Sequence, residues 1–197
     1  RSKWDEAAEA FSHLPDSVAD PTILFELACI YRITGEDTNY QQLITKFHGS
    51  LGDQPAIEQG MLFARATGSA PQVKSIVQRA VELAQLAVDE KQTAWNLHSL
   101  GLAQMRTGDF EGAQRSFESS LGVPSWRSEQ NHAALAILFS VQNRSSDAQS
   151  QLNKAKKIHQ QLLDNSNDGA ARILSIDWFA LNALIRVAED ALADRHN

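Results

Sequence analysis

Apolar residues recur every three or four positions over two neighbouring stretches between Ala94 and Pro124, and a short polar turn separates them. This spacing places the apolar side chains on one face of each stretch, so the pattern predicts two amphipathic helices. Gly108 can adopt the positive φ that ends a first helix, and the carboxylate of the adjacent Asp109 can cap the second. Pro124 then marks the end of the second helix.

Small residues stand where these two helices must cross. Gly101 lies on the apolar face of the first helix and Ala113 on that of the second, while Leu100 and Phe117 are placed to fill the space beside them. Because neither Gly101 nor Ala113 has a bulky side chain, the two backbones can approach closely. One such pair cannot bury its own apolar face, so similar pairs are expected on both sides of it.

The same pattern recurs along the chain at a spacing of 33 to 40 residues. It predicts an all-α fold, a right-handed α-solenoid of antiparallel helix pairs with a C-terminal capping helix. We expect a single domain over 1–197, made of a half repeat at 1–16, repeats at about 20–49, 55–90, 93–124 and 127–163, and a capping helix at about 170–193. The polar run at 164–169 is expected to be a loop that leads into this last helix, which would cover the open end of the stack.

The chain begins within a repeat. Its first residues have the pattern of a second helix, with Ala7 and Phe11 at the apolar contact positions, and no first helix precedes them. We therefore expect the sequence to be a fragment of a longer protein, with apolar surface near Trp4 and Phe11 left uncovered on the upstream side.

The central pair matches a known repeat pattern. The spacings L-x2-L-G-x2-Q from Leu97, A-x3-F from Ala113 and the final Pro124 resemble the tetratricopeptide (TPR) pattern W-x2-L-G-x2-Y, A-x3-F, P. The resemblance implies a helical repeat protein that binds other proteins.

The order of several short motifs is similar to the C-terminal TPR region of certain bacterial serine/threonine protein kinases. The residues that carry this likeness are Trp4 to Ala8, Tyr40 to Leu43 before Phe47, Gly108 to Ala113, Asp147-Ala148 with Ala155-Lys156, and Asp177-Trp178-Phe179 before Ala188 to Leu192. The resemblance implies that a kinase lies upstream and that this region regulates it or acts as a scaffold. The sequence itself contains no glycine-rich phosphate loop, HRD motif or DFG motif.

Composition narrows the function further. A net charge of −6 and a pI near 5.5 argue against binding to nucleic acid or to an acidic membrane surface, and no apolar run approaches the roughly 18 residues of a membrane span. The single cysteine, Cys29, cannot form an internal disulfide, which is typical of a cytoplasmic protein. No metal-binding histidine motif occurs, and no nucleophile, base and orienting group stand at a recognisable spacing. We therefore expect no enzyme activity, cofactor or metal.

One face of the first helix in each pair is predicted to line the inner groove of the solenoid. The candidate peptide-binding residues combine aromatic, apolar and charged side chains: Phe25, Arg32, Glu58, Arg65, Trp95, His98, Leu102, Arg106 and Ile137. Such a surface can hold an extended or helical peptide with acidic character. Alternatively, Arg32, Arg65 and Arg106 are solvated residues near the negative C-terminal ends of their helices.

Two functions are consistent with this pattern. The first is a non-catalytic protein–protein interaction module that binds a peptide or protein segment in the groove and can regulate or scaffold an attached signalling kinase. The second is structural, a spacer or self-association domain that forms a homodimer through apolar surface near Trp4 and Phe11 or through the last helix. The two functions differ in the surface that contacts another chain.

Overall fold

Ten helices make up the part of the chain that the computed structural model describes, residues 3–13, 20–70, 73–123, 128–167 and 175–193, and this part contains no strand. The prediction of an all-α fold is therefore confirmed. The helices are α1 (Lys3–Ser12), α2 (Pro21–Thr34), α3 (Asp37–Ser50), α4 (Ile57–Thr67), α5 (Lys74–Glu90), α6 (Ala94–Thr107), α7 (Phe110–Leu121), α8 (Ser128–Val141), α9 (Ser145–Asn167) and α10 (Ser175–Ala193).

The turn between α6 and α7 forms as the sequence predicts. Gly108 has a φ of 86°, and its N–H reaches the carbonyls that end α6. The Asp109 carboxylate accepts a hydrogen bond of 2.9 Å from the Gly112 N–H, which caps α7. Asn143, with a φ of 63°, takes the same left-handed conformation between α8 and α9. Pro124, the predicted end of this pair, lies outside the described residues.

Helix α9 is longer than predicted. The polar run expected to be a loop from 164 begins inside α9, which continues to Asn167. A hydrogen bond of 2.9 Å from Gln160 Nε2 to Asp164 Oδ1 joins side chains one helical turn apart and stabilises this extension. The rest of the predicted loop, 168–174, lies outside the described residues.

Neighbouring helices pack together along the chain. Each first helix contacts the second helix of its own pair: α2 with α3, α4 with α5, α6 with α7 and α8 with α9. First helices of successive pairs also touch, α2 with α4, α4 with α6 and α6 with α8. Two apolar clusters result, one centred on α2 to α5 and one on α6 to α9, and side chains from α10 enter both.

The contact between α6 and α7 depends on the glycine at their crossing. A Cβ atom added to Gly101 would lie 2.6 Å from Phe117 Cε1 and 2.7 Å from Phe117 Cδ1. The ring of Phe117 therefore occupies the space that any other residue at 101 would need. Phe117 and Ala113 are both fully buried. The absence of a side chain at Gly101 therefore sets the distance between the two helices.

The last helix is not only a cap over the end of the stack, as we had expected. It packs against α8 and α9 of the final pair but also against α2 near the other end of the chain. Its buried side chains surround more than half of the helix, namely Ala180, Leu181, Ala183, Leu184, Val187, Ala188 and Leu192. An apolar surface this wide requires more than one neighbour. The neighbours of α10 are α2, α8 and α9.

The first helix contacts the N-terminal part of α10. Trp4 packs edge-on against Phe179 of α10, with ring centroids 5.8 Å apart, so the surface near Trp4 is partly covered by this chain. The side chain of Phe11 lies outside the described residues. Among the described helices, none combines the length and the apolar composition that crossing a lipid bilayer requires.

We expect Gly101→Ala to destabilise the fold by about 1–3 kcal/mol, because the new Cβ overlaps the buried Phe117 ring. The measurement is the free energy of unfolding in urea. The matched control is Gly49→Ala in α3, where an added Cβ meets nothing within 4 Å and alanine favours the helix. Equal stability of the two variants would contradict the proposed close approach.

Candidate functional site

Several of the residues that we predicted to line a groove lie beneath α10. Ala180, Ala183 and Leu184 of α10 share a cavity with Phe25 and Cys29 from α2, Arg65 from α4, Ser69 from the turn after α4, and His98 and Leu102 from α6. We call the six residues outside α10 the α10-binding surface. A cavity of about 10 Å³ remains between it and α10, which is close to the space that one water molecule needs.

Arg65 is the central residue of this surface. Its Cζ atom lies 3.8 Å from the ring centroid of Trp95 and 4.8 Å from that of Phe25, so the guanidinium is held between two aromatic rings. Only 3% of Arg65 is exposed. Stacking on aromatic faces partly replaces the water that a buried cation loses. Phe25, Arg65 and Trp95, which stand far apart in the sequence, are thus brought together by α2, α4 and α6.

Gln130 connects Arg65 to a carboxylate on α10 through two hydrogen bonds. Arg65 Nη2 donates a hydrogen bond of 2.7 Å to Gln130 Oε1, and Gln130 Nε2 donates one of 3.1 Å to Asp177 Oδ1. Arg65 Nη2 and Asp177 Oδ1 are themselves 4.0 Å apart, too far for a hydrogen bond. Burial lowers the pKa of Arg65 to about 10 against the opposing effect of Asp177, so Arg65 is still charged at neutral pH.

His98 belongs to a second buried chain of hydrogen bonds. Its Nδ1 lies 2.8 Å from Asn131 Oδ1, Asn131 Nδ2 donates to Ser120 Oγ, and Ser120 Oγ donates to the carbonyl of Ala94. Burial first, and then the charge of Arg65, lower the pKa of His98 to about 3. The imidazole is therefore neutral at physiological pH, and it fixes α8 against α6 and α7.

The remaining candidate residues lie at the edge of this surface or outside it. Arg106 is partly buried, and its Nε donates a hydrogen bond of 2.8 Å to the carbonyl of Gly68. Arg32 pairs with Asp37. Glu58 is exposed at the start of α4, whereas Ile137 is buried in the apolar cluster that includes Leu181 and Leu184 of α10.

The alternative reading of the arginines as solvated helix ends is wrong for Arg65. It is buried and bonded to α8, although it does lie in the last turn of α4. Arg32 and Arg106 also lie in the last turns of their helices and keep some exposure to solvent. The three arginines therefore share a position in their helices but differ in environment.

Sequence reasoning missed the polar residues that connect this surface to its surroundings. Gln130 and Asn131 are fully buried in the first turn of α8, and Asp177 is 8% exposed in the first turn of α10. The available signal was weak: five polar residues, Ser128 to His132, open a helix that is otherwise almost entirely apolar. Polar residues at a helix start usually face solvent, and the sequence alone does not reveal that α10 covers them.

Within the described ranges, no group of three or more His, Cys, Asp or Glu side chains is arranged to hold a metal ion. His132, from the first helix next to that of His98, bonds to Gln151.

Comparisons with family models, curated proteins and solved structures found no match for this chain. The contacts of the α10-binding surface are therefore the basis for its proposed function.

We expect Arg65 and Asp177 to be strongly coupled in a double-mutant cycle of unfolding free energies. Arg65→Met or Asp177→Leu alone leaves the other charge buried, which costs about 3–5 kcal/mol. The double variant removes both charges, so its cost should fall short of the sum by about 0.5–3 kcal/mol. The control cycle uses Arg79 and Glu82, an exposed pair, for which about 1 kcal/mol or less is expected. Additive effects at Arg65 and Asp177 would contradict the coupling.

The buried neutral His98 should make the protein less stable in acid. Its pKa is 6.5 in a model compound and about 3 in the folded chain, so below pH 6.5 the unfolded chain binds a proton that the folded chain does not. The free energy of unfolding should therefore fall by up to about 1.4 kcal/mol per pH unit as the pH decreases through this window. Urea unfolding at several pH values should give a shallower dependence for His98→Gln, and an unchanged slope would argue against this assignment.

Proposed function

We propose that this chain is a non-catalytic protein–protein interaction module whose α10-binding surface holds a helix that carries a carboxylate. The observation that supports this most directly is α10 itself. It is a helix that packs against α2 and α8, shares a cavity with side chains of α2, α4 and α6, and has a carboxylate near Arg65. A groove that accepts an amphipathic helix is a recurrent mode of protein recognition.

The chemistry of the surface suits recognition rather than catalysis. Apolar side chains supply the contact area, and one buried cation between aromatic rings supplies the requirement for a negative charge. Arginine and aromatic residues that are desolvated at the centre of an interface are the residues that commonly dominate binding energy. A helix without an acid at this position would leave Arg65 buried and without a counter-charge, which is costly.

The repeat architecture is part of the same proposal. Contacts between successive first helices and within each pair support a right-handed TPR-like solenoid, in which the α10-binding surface is the inner groove. The likeness of its short motifs to the TPR region of bacterial serine/threonine kinases supports a cytoplasmic regulatory or scaffolding role beside such a kinase. Self-association through the surface near Trp4 has less support, because Trp4 already packs against Phe179.

A displayed library of amphipathic helical peptides, selected against the full chain carrying Asp177→Asn, tests this function. The substitution weakens the hold of α10, and the selected peptides should share an acidic residue. Arg65→Lys should weaken their binding roughly tenfold, because lysine lacks the planar fork and stacks less well between rings.

The matched control is Arg79→Lys, a substitution on α5 at a residue that is not part of the α10-binding surface, which should leave affinity unchanged. Peptides that lack an acid, or that bind Arg65→Lys as tightly as the parent, would refute the proposed function.

A further inference from the structure

Helix α10 leaves part of the buried cation unsatisfied. Arg65 Nη1 has no hydrogen-bond acceptor among the described residues, and the other terminal nitrogen, Nη2, stands 4.0 Å from Asp177 Oδ1. Gln130 bridges Nη2 to the carboxylate. A guanidinium forms its strongest contact when two of its nitrogens bond directly to one carboxylate, and Asp177 does not reach that geometry.

The apolar part of the same contact is also incomplete. Where α10 faces Phe25, Cys29 and Leu102, it presents Ala180 and Ala183, the smallest side chains that a helix commonly carries. The cavity of about 10 Å³ lies at this point. A space without partner atoms forfeits dispersion contacts on both sides. Helix α10 therefore occupies the surface without filling it.

Short side chains of α10 contribute to both deficits, Asp177 at the charge and Ala180 and Ala183 at the cavity. A glutamate at the position of Asp177 would carry its carboxylate one methylene further towards Arg65. The separation to be closed is the difference between 4.0 Å and the ~2.8 Å of a charge-assisted hydrogen bond, and this is about the length of one carbon–carbon bond.

We propose that the external ligand of the α10-binding surface is an amphipathic helix that displaces α10 and places a glutamate on Arg65 where α10 places Asp177. This inference rests on the proposed function and adds the identity of the anchoring residue and the competition with α10. The partner and α10 require the same atoms of Phe25, Arg65 and Leu102, so the two helices exclude each other.

Displacement needs a ligand that binds better than α10, because α10 is tethered and has the advantage of a high effective concentration. The buried apolar side chains of α10 also hold it in place, so a ligand must replace those contacts. The ligand gains its advantage in the polar contacts of α10, which are weak. The ion pair between Lys156 and Glu189, which joins α9 to α10, is close to half exposed and contributes little. The buried pair of Arg65 and Asp177 lacks a direct hydrogen bond, so its Coulombic gain barely offsets desolvation. A direct glutamate contact supplies what α10 lacks.

Three peptides of 19 residues with the sequence of Ser175–Ala193 test the anchor: the unchanged sequence, its Asp177→Glu form and its Asp177→Asn form. Fluorescence polarisation measures their binding to the full chain carrying Asp177→Asn. The glutamate peptide should bind roughly tenfold more tightly than the unchanged one, and the asparagine peptide more weakly. Equal affinities, no binding, or a preference for aspartate would overturn the proposal.

The same substitution within the full chain provides an independent check. Asp177→Glu should strengthen the hold of α10, raise the melting temperature and reduce the affinity for the added glutamate peptide. If the longer side chain did not fit beside Arg65, the melting temperature would fall, and the proposed glutamate contact would be wrong even where peptides bind.

Competition is tested by locking α10 in place. Cys29 and Ala183 line the same cavity, so Ala183→Cys, or Ala180→Cys one turn earlier, allows a disulfide from α2 to α10, verified by mass spectrometry. The oxidised protein should lose binding of the glutamate peptide and regain it on reduction. With the unlocked protein, the peptide should also speed amide hydrogen exchange in α10.

Undiminished binding to the locked protein, or unchanged exchange in α10, would overturn displacement. The two levels of the proposal fail differently. Library peptides that depend on Arg65 and lose binding to the locked chain, but show no preference for glutamate, would retain the interaction function and remove the glutamate anchor. The absence of any acidic peptide that depends on Arg65 would remove the function itself.

Discussion

The burial of one positive charge governs the arrangement of this protein. Removing the Arg65 guanidinium from water costs free energy, and its neighbours compensate this cost. Trp95 and Phe25 enclose the guanidinium, Gln130 accepts a hydrogen bond from it, and Asp177 supplies a counter-charge. These partners come from α2, α6, α8 and α10. The requirement to compensate one cation thus links five helices, in addition to their apolar packing.

A polar layer beside this charge explains why α8 has a defined position. Its apolar side chains are buried on almost every side, so no single stripe selects an orientation. Gln130 and Asn131 provide the missing specificity, since each bonds to groups on different helices. Buried polar groups that are satisfied in only one arrangement add little net stability but penalise alternatives. Burial and the charge of Arg65 keep His98 neutral, because both lower its pKa.

How far the sequence predicted the structure depends on the range of each interaction. Local signals succeeded: the turn at Gly108, the cap at Asp109 and the crossing of Gly101 with Phe117 all follow from residues close in the chain. Phe25, Arg65 and Trp95 could be assigned to one surface because each lies on the predicted groove face of the first helix of its pair. The place of α10 could not be predicted, because periodicity identifies an apolar face but not the helix that covers it. The contact of Gln130 with Asp177 depends on that placement and was missed with it.

The position of Cys29 gives the molecule an internal reporter. The thiol is buried on α2 beneath α10, and burial raises its pKa to about 12. A protonated, enclosed thiol reacts slowly with alkylating reagents. Dissociation of α10 from the α10-binding surface would expose the Cys29 thiol. The rate at which a maleimide modifies the native chain therefore reports the fraction of molecules in which α10 is dissociated.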